Sequence, residues 1–158
     1  MIDHIKANLL IHAKKLDLTL AGMAREAGYS KQQLNNMFYR QDMNQKRVRD
    51  FAEVLQVEPE ELTKEVTPKE FGAKVANPID RVRENLKMIA AEFGLTFSDI
   101  IKGTGLTEPV FRKAFRRNEP RMDVIEKICK FIGIDSDELF EEVDYERYGK
   151  ALVPRIKN

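Results

Sequence analysis

Lysine and arginine side chains cluster in two stretches of this chain where acidic side chains are few. Residues 28–49 hold one acid, Asp42, and five basic residues: Lys31, Arg40, Lys46, Arg47 and Arg49. Residues 105–121 hold Glu108, Glu119 and five basic residues: Arg112, Lys113, Arg116, Arg117 and Arg121. Ammonium and guanidinium groups bind phosphate oxygens, so each stretch could lay a face on polyanionic DNA. The alternative is two solvated surfaces whose charges happen to segregate.

Groups that could carry catalysis or hold a metal are few. His4 and His12 stand eight apart, and no cysteine or carboxylate completes a metal-ligand pattern with them. The single cysteine, Cys129, lies on an apolar helical stripe, which indicates core packing. The segment Gly103-Thr104-Gly105 lacks the Gly-Lys-Ser/Thr ending of a phosphate loop. We therefore expect no enzymatic activity, no metal and no cofactor.

The chain repeats itself. Residues 2–76 overlay residues 79–153 without a gap when they are shifted by 77 positions. Matching pairs in this register include Thr19 with Thr96, Gly28 with Gly105, Phe38 with Phe115, Leu62 with Leu139, and Phe71-Gly72 with Tyr148-Gly149. A single register held this long predicts two copies of one small helical unit.

The first copy predicts five helices, over about 2–16, 20–27, 31–38, 45–55 and from Pro59 onwards. Thr19 and Ser30 stand at N-cap positions, and Gln33 completes a capping-box spacing with Ser30. Gly28 stands where a helix end favours a left-handed residue. The third helix carries three apolar side chains inward, Leu34, Met37 and Phe38. Its polar side chains then point outward: Lys31, Gln32, Gln33, Asn35 and Asn36.

The second copy predicts helices near 79–93, 97–103, 108–116, 121–132 and 136–142. After the fifth helix of each copy, apolar residues four apart predict a short amphipathic helix, at Phe71 and Val75 and again at Tyr148 and Leu152. The fold class we expect is all-α. The domains we expect are 1–66, a linker with a short helix at 67–78, a second domain at 79–143, and a short helix and tail at 144–158.

A short helix, a glycine-centred turn and a helix with a polar outer face form the helix-turn-helix layout. Residues 18–38 (LTLAGMAREAGYSKQQLNNMF) resemble the repressor/Cro-type helix-turn-helix family, which includes the lambda-repressor-like domains. Matching residues are Thr19, Met23-Ala24, Gly28, Ser30, Leu34 and Met37, and, in the second copy, Thr96, Ile100, Gly105, Thr107 and Phe111. The resemblance covers about 2–66 and 79–143 and implies two tandem five-helix lambda-repressor-like domains, each with a short extra C-terminal helix.

The resemblance implies that the third helix lies in the major groove of double-stranded DNA, with its first residues reading base edges. Carried over by position, the readers are Lys31, Gln32, Gln33 and Asn36. Their amides suit adenine, and lysine suits guanine acceptors. The phosphate contacts are Ser30, Arg40, Lys46 and Arg47.

The second copy is less clearly a reader. Its third helix begins Glu108-Pro109-Val110, and proline lacks the amide that could meet a phosphate. Its candidate DNA contacts are Arg112, Lys113, Arg116 and Arg117. This copy either grips the DNA backbone or binds a protein partner.

We expect a sequence-specific DNA-binding transcriptional regulator that represses by occluding a promoter. Family members usually bind as dimers, so we expect a homodimer or an intrachain pseudo-dimer. The alternative is a protein-interaction module, an antirepressor or inhibitor that binds another regulator or a nucleoprotein. No apolar run reaches the roughly 18 residues of a membrane span, and the first residues lack a signal-peptide layout, so we expect a cytoplasmic protein.

Overall fold

The computed structural model describes residues 2–116 and 119–153, with the backbone alone for residues 2 and 3. All regular secondary structure in these described ranges is helical, which confirms the predicted all-α class. The chain divides into two compact units, one up to Val75 and the other Ala76–Leu152.

The first unit contains α1 (Ile2–Lys15), α2 (Leu20–Glu26), α3 (Lys31–Tyr39), α4 (Gln45–Leu55), α5 (Pro59–Thr63) and α6 (Pro68–Val75). The predicted bounds of the first four helices are confirmed to within one residue. The fifth begins at Pro59, as predicted, because proline fits the first helical position. Leu16, which the spacing assigned to the first helix, lies just past its end and is exposed.

The second unit begins with a 3₁₀ turn, Pro78–Asp80, followed by α7 (Arg81–Glu92), α8 (Phe97–Thr104), α9 (Glu108–Lys113), α10 (Met122–Ile132), α11 (Asp137–Phe140) and α12 (Tyr145–Leu152). The predicted helix 79–93 therefore starts as a tighter turn. The predicted helix 136–142 is shorter than expected, since Ser136 provides no side-chain cap and the helix ends at Phe140.

The prediction of a helix over 108–116 is wrong at its C-terminal end. The carbonyl of Ala114, which a continuing helix would offer to the next turn, accepts a hydrogen bond from the Arg121 amide at 3.0 Å. Phe115 instead packs edge-on against Phe111, with ring centroids 5.1 Å apart. Phe115 therefore lies beyond the end of α9 and is partly buried.

Helices α1 to α5 enclose the core of the first unit. Its fully or nearly buried side chains include Ile5, Leu9, Met23, Leu34, Met37, Val48, Phe51, Leu55 and Leu62. Most of these are the apolar positions that the helical spacing selects, so the helical periodicity and the core agree.

The second unit has its own buried side chains: Leu86, Ile89, Ile100, Phe111, Val124, Ile125, Ile128, Cys129 and Leu139. The core position predicted for Cys129 is confirmed. Burial, with a smaller contribution from nearby carboxylates, raises the pKa of the Cys129 thiol to about 11. The thiol is therefore protonated at neutral pH and is a poor nucleophile.

The short helices beyond each fifth helix form as predicted and complete their units. Helix α6, placed in a linker by the sequence, packs against α1 and buries Phe71 and Gly72. Helix α12 packs against α7 and buries Tyr148 and Gly149. The Tyr148 hydroxyl donates to the Glu84 carboxylate. These helices thicken each unit on the side of its first long helix.

Candidate nucleic-acid interface

The turn between α2 and α3 reverses the chain within four residues. Gly28 adopts φ +89°, a left-handed conformation that costs glycine nothing. Its amide donates to the Arg25 carbonyl at 3.0 Å, and the Tyr29 amide donates to the Ala24 carbonyl at 2.8 Å. These two bonds satisfy carbonyls at the end of α2. They hold α3 in a fixed direction relative to α2.

The start of α3 is closed by a reciprocal pair of hydrogen bonds. The Ser30 hydroxyl accepts from the Gln33 amide at 3.0 Å, and the Gln33 Oε1 accepts from the Ser30 amide at 2.7 Å. The predicted capping box is therefore confirmed. Its formation engages the side-chain oxygen of Gln33, so this residue has only its amide NH₂ left to offer outward.

Helix α3 has an apolar inner face and a polar outer face. Leu34, Met37 and Phe38 are buried, as predicted. The side chains on the outer face are all exposed: Lys31, Gln32, Gln33, Asn35, Asn36 and Tyr39. The predicted orientation of the helix is confirmed.

Lys46 lies in a three-membered cluster at the start of α4. Tyr29 donates its hydroxyl to Asp50 Oδ2 at 2.6 Å, and Lys46 donates to the same oxygen at 3.2 Å. The hydrogen bonds from Tyr29 and Lys46 hold the pKa of the Asp50 carboxyl below its ordinary value. The Asp50 carboxylate in turn raises the pKa of Lys46. Lys46 therefore has a counter-ion but remains highly exposed.

Arg47 is held by Asp42 from the preceding loop. Its Nη1 lies 2.6 Å from both the Asp42 carbonyl and the Asp42 Oδ2. The Arg47 side chain is only 28% exposed. Arg40, by contrast, is exposed and forms no ion pair with the residues described. Of the predicted phosphate contacts, Arg40 is the more available cation.

A shallow cleft of about 200 Å³ runs beside the outer face of α3. Gln33, Asn36, Arg40 and Arg47 line it, together with Asp42. The structure thus brings together four of the predicted DNA-contact residues. The counter-ions Asp42 and Asp50 were missed by the sequence reasoning. The Lys46–Asp50 spacing of four on one helix was a usable signal for one of these pairs.

The corresponding turn of the second unit joins α8 to α9. Gly105 ends α8 in the left-handed conformation, with φ +73°. Thr107 caps α9, with its hydroxyl accepting from the Val110 amide at 3.4 Å. At the start of α8, Thr96 and Asp99 form a capping box. The Gly105 amide donates to the Ile101 carbonyl at 3.1 Å, so the end of α8 and the start of α9 are both satisfied by hydrogen bonds.

The predicted contacts of the second unit differ in availability. Arg112 is paired with Glu108 on the same helix, with Nη2 2.7 Å from Oε1. Lys113 and Arg116 are exposed and form no ion pair within the described part of the chain. Arg116 also borders a cleft with Asp80 and Arg81. Arg117 lies outside the described residues.

The histidines serve the first unit as packing and hydrogen-bonding groups. His4 Nδ1 accepts from the Val66 amide at 3.2 Å. Burial, reinforced by Lys15, lowers the pKa of His12. Within residues 2–116 and 119–153, no cluster of three or more histidine, cysteine or acidic residues could bind a metal, and no helix is long and apolar enough to span a membrane.

Comparison with known proteins finds a family model that matches the second unit. The family model of the Cro/C1-type HTH DNA-binding domain matches residues 85–144, which include α8, α9 and α10. No curated protein and no solved structure matches the chain. The match supports membership of a helix-turn-helix family and indicates a DNA-binding regulator. It falls on the copy for which the sequence left backbone gripping and protein binding equally open.

Proposed function

We propose that this chain is a sequence-specific DNA-binding transcriptional repressor in which both units are helix-turn-helix domains. The observation that carries the proposal is the Cro/C1-type match to residues 85–144. The first unit supports the same assignment, because α4 and α10 are equally long and start 77 residues apart. Helices α6 and α12 keep the same spacing.

Base reading belongs to α3 of the first unit. Lys31, Gln32 and Asn36 are exposed on its outer face, and amide groups can donate and accept at once on an adenine edge. Each such pairing contributes about 1–3 kcal/mol of discrimination. Gln33 keeps a share in this role through its NH₂ group, but its oxygen caps the helix. Gln33 therefore positions the helix as well as facing the groove.

Phosphate binding follows the availability of each cation. Arg40 is exposed without a described counter-ion, and the Ser30 hydroxyl keeps its own hydrogen to donate. Lys46 must first break its ion pair with Asp50, and Arg47 must first break its ion pair with Asp42. The Lys46 side chain is highly exposed, and exposed ion pairs are worth only about 0–1 kcal/mol, so a phosphate can replace the Asp50 carboxylate there.

The second unit binds DNA mainly through contacts from its basic side chains to the sugar–phosphate backbone. Lys113 and Arg116 are the available cations, and Arg112 is oriented by Glu108. Two units in one chain could bind two half-sites about one DNA turn apart, as separate subunits do in dimeric helix-turn-helix proteins. Occupying such a site would occlude a promoter and repress transcription.

The test is selection of a randomised duplex library by the full chain at two salt concentrations, followed by sequencing. One enriched half-site is expected, because α3 of the first unit reads the bases, with weaker retention at the higher salt because phosphate contacts release counter-ions. A second, spaced half-site would show that the second unit also reads bases. No enrichment and no retention at low salt would refute DNA binding and direct the search to a protein partner.

Single variants then separate contacts to base edges from contacts to phosphates. Gln32→Ala should relax preference at one base position of the selected motif without changing the melting temperature. Arg40→Gln should reduce the slope of log affinity against log salt by about 0.9 for one lost phosphate contact. Lys69→Gln is the matched control, since Lys69 is exposed on α6, the helix that packs against α1. An equal effect of the control would remove Arg40 from the interface.

Asp42→Asn should tighten DNA binding, because it removes the ionic partner of the Arg47 guanidinium and a negative charge from the basic surface, although the hydrogen bond to the main-chain carbonyl of residue 42 remains. If Arg47 gains a phosphate, the salt slope should steepen by about 0.9. Fluorescence anisotropy titrations on the selected duplex measure both effects. Glu70→Gln on α6 is the control for net charge. An affinity and a slope equal to those of this control would show that Asp42 does not restrain Arg47.

A further inference from the structure

Tyr39 is the most exposed large apolar side chain in the described part of the chain, at 87%. It is the last residue of α3, and the exposed Arg40 follows it. A single exposed aromatic is ordinary on a protein surface, so exposure alone decides nothing. The position of the ring on the helix carries the argument.

The outermost stripe of α3 runs through Gln32, Asn36 and Tyr39. Residues at i, i+4 and i+7 lie on one face of a helix. The buried face of α3 is formed by Leu34, Met37 and Phe38. With about 100° of rotation per residue, the stripe of Gln32, Asn36 and Tyr39 points away from that buried face. Tyr39 thus shares the face that carries two of the proposed base readers.

The length of this stripe matches the groove that it would enter. A rise of about 1.5 Å per residue separates Gln32 from Tyr39 by about 10 Å along the helix axis. The major groove is about 12 Å wide. A helix whose first turn meets base edges therefore brings its last turn to the groove edge, where the sugar–phosphate backbone runs.

We propose that Tyr39 is a DNA contact, with its hydroxyl donating a hydrogen bond to a backbone phosphate at the edge of the half-site read by α3. This inference rests on the proposed DNA-binding function. Tyrosine hydroxyls are established donors to phosphate oxygens. In the register shifted by 77 residues the matching position is Arg116, which lies past the end of α9 and is also exposed. The next residue, Arg40, is also exposed and adds a positive charge next to Tyr39 in the chain.

The experiment uses the full chain and the duplex selected by wild type. Tyr39→Phe should weaken binding by about tenfold to a hundredfold, the effect of losing one hydrogen bond to a charged phosphate oxygen. Tyr145→Phe, which removes the same hydroxyl from α12, is the matched control and should bind like wild type. Melting temperatures should not change, since the Tyr39 ring is exposed. Duplexes with single methylphosphonate substitutions then scan the backbone, and one position should abolish the difference between wild type and Tyr39→Phe.

The possible outcomes distinguish failure of the Tyr39 contact from failure of the proposed DNA-binding function. If Gln32→Ala changes the selected motif but Tyr39→Phe binds like wild type, the phosphate contact is refuted and the repressor assignment stands. A uniform weakening on every methylphosphonate duplex would also refute a specific phosphate. If wild type selects no duplex at either salt concentration, the proposed function fails and the Tyr39 contact fails with it.

Discussion

Asn8 and Asn85 are buried polar side chains that hold equivalent main-chain carbonyls in the two units. Each is buried on the first long helix of its unit. Asn8 Nδ2 donates to the carbonyls of Leu62 and Lys64, at 3.1 and 2.8 Å. Asn85 Nδ2 donates to the carbonyls at residues 139 and 141, at 3.0 and 2.7 Å. All these positions differ by 77, so the same side chain ties the chain after α5 and after α11.

Asn85→Ala should destabilise the second unit, because it leaves two carbonyls near the core without their donor. A buried group that loses its hydrogen-bond partner costs about 1–3 kcal/mol. Urea unfolding followed by circular dichroism measures the change. Asn35→Ala, an exposed change on α3, is the control and should shift the midpoint little. Equal midpoints for the two variants would contradict the role of Asn85.

Asn8 and Asn85 also mark what the sequence could not predict. An asparagine within a helix is usually assigned to the surface. Its side chain competes with the backbone for hydrogen bonds unless it points to solvent. Its partners here are carbonyls 54 and 56 residues away, and local patterns contain no information on such pairs. The counter-ion of Arg47 was missed for a related reason, since Asp42 reaches it from a loop.

At the scale of elements, the residue that follows the fourth long helix differs between the units. Helix α4 ends at Gln56, which adopts the left-handed conformation with φ +58°. Helix α10 ends at Gly133, with φ +89°. The hydrogen bonds after the two helices agree, since the next amide in each donates to a carbonyl five residues back. A side chain is strained in this conformation where glycine is not.

Gln56→Gly should therefore stabilise the first unit by about 0.5–1 kcal/mol, the relief of left-handed strain less the added chain entropy of glycine. The reciprocal change, Gly133→Ala, should destabilise the second unit by about 1 kcal/mol. Thermal unfolding measures both. No atom lies within 4 Å of a β-carbon built at Gly133, so a loss there reports the backbone alone. Opposite signs are expected, and equal signs would contradict the explanation.

The cap of α8 predicts a pH dependence. The Thr96 amide donates to Asp99 Oδ2 at 2.8 Å and lowers the pKa of Asp99 below its ordinary value of 3.8. A lowered pKa means that the stabilising contribution is present above the unfolded value and is lost as the pH falls through the folded one. The stability difference between wild type and Asp99→Asn should thus shrink on acidification. Urea unfolding at about pH 6 and about pH 2.5 tests this, with Glu142→Gln as control. A constant difference would contradict it.

Elements were the most predictable level of this structure. The bounds of α4 followed from Val48, Phe51 and Leu55 at helical spacing, and those side chains are buried. The end of α9 could not be read in this way. Phe115 continues the apolar pattern of that helix and contacts Phe111, yet it lies past the helix end, where the Ala114 carbonyl accepts from the distant Arg121 amide. A periodic pattern marks which side chains are buried and leaves open where the backbone turns.

At the scale of the whole molecule, each unit has the core and the hydrogen bonds of a small domain. About 75 residues lie near the lower limit for a domain that folds alone. A fragment of residues 76–153 should therefore remain helical and unfold cooperatively, with a lower melting temperature than typical larger domains. Circular dichroism melting measures this. A fragment that is unfolded at about 25 °C would show that the units depend on each other for stability.

The proposed function could be predicted from the sequence only where charge and local pattern indicate it. The polar outer face and the cap of α3 could be predicted from residues 30–38 alone. The two lysine and arginine clusters could be located from the sequence, but the number of their cations that lack a counter-ion could not be predicted. Asp50 and Glu108 each pair with one of these cations within the folded units. Formal charge counted along the sequence therefore overstates the cations that are available to a phosphate.

The burial of Cys129 has a practical consequence for measuring distances on this protein. The chain has one thiol, and in the folded state it is shielded and protonated at neutral pH. A maleimide dye or spin label applied to the native protein should leave it unmodified. Introducing a single attachment point at an exposed position outside the proposed DNA contacts, as in Lys69→Cys on α6, should then give a site-specific conjugate without first replacing the native cysteine. Resonance energy transfer from that position to an end-labelled duplex would report how the first unit approaches its ligand.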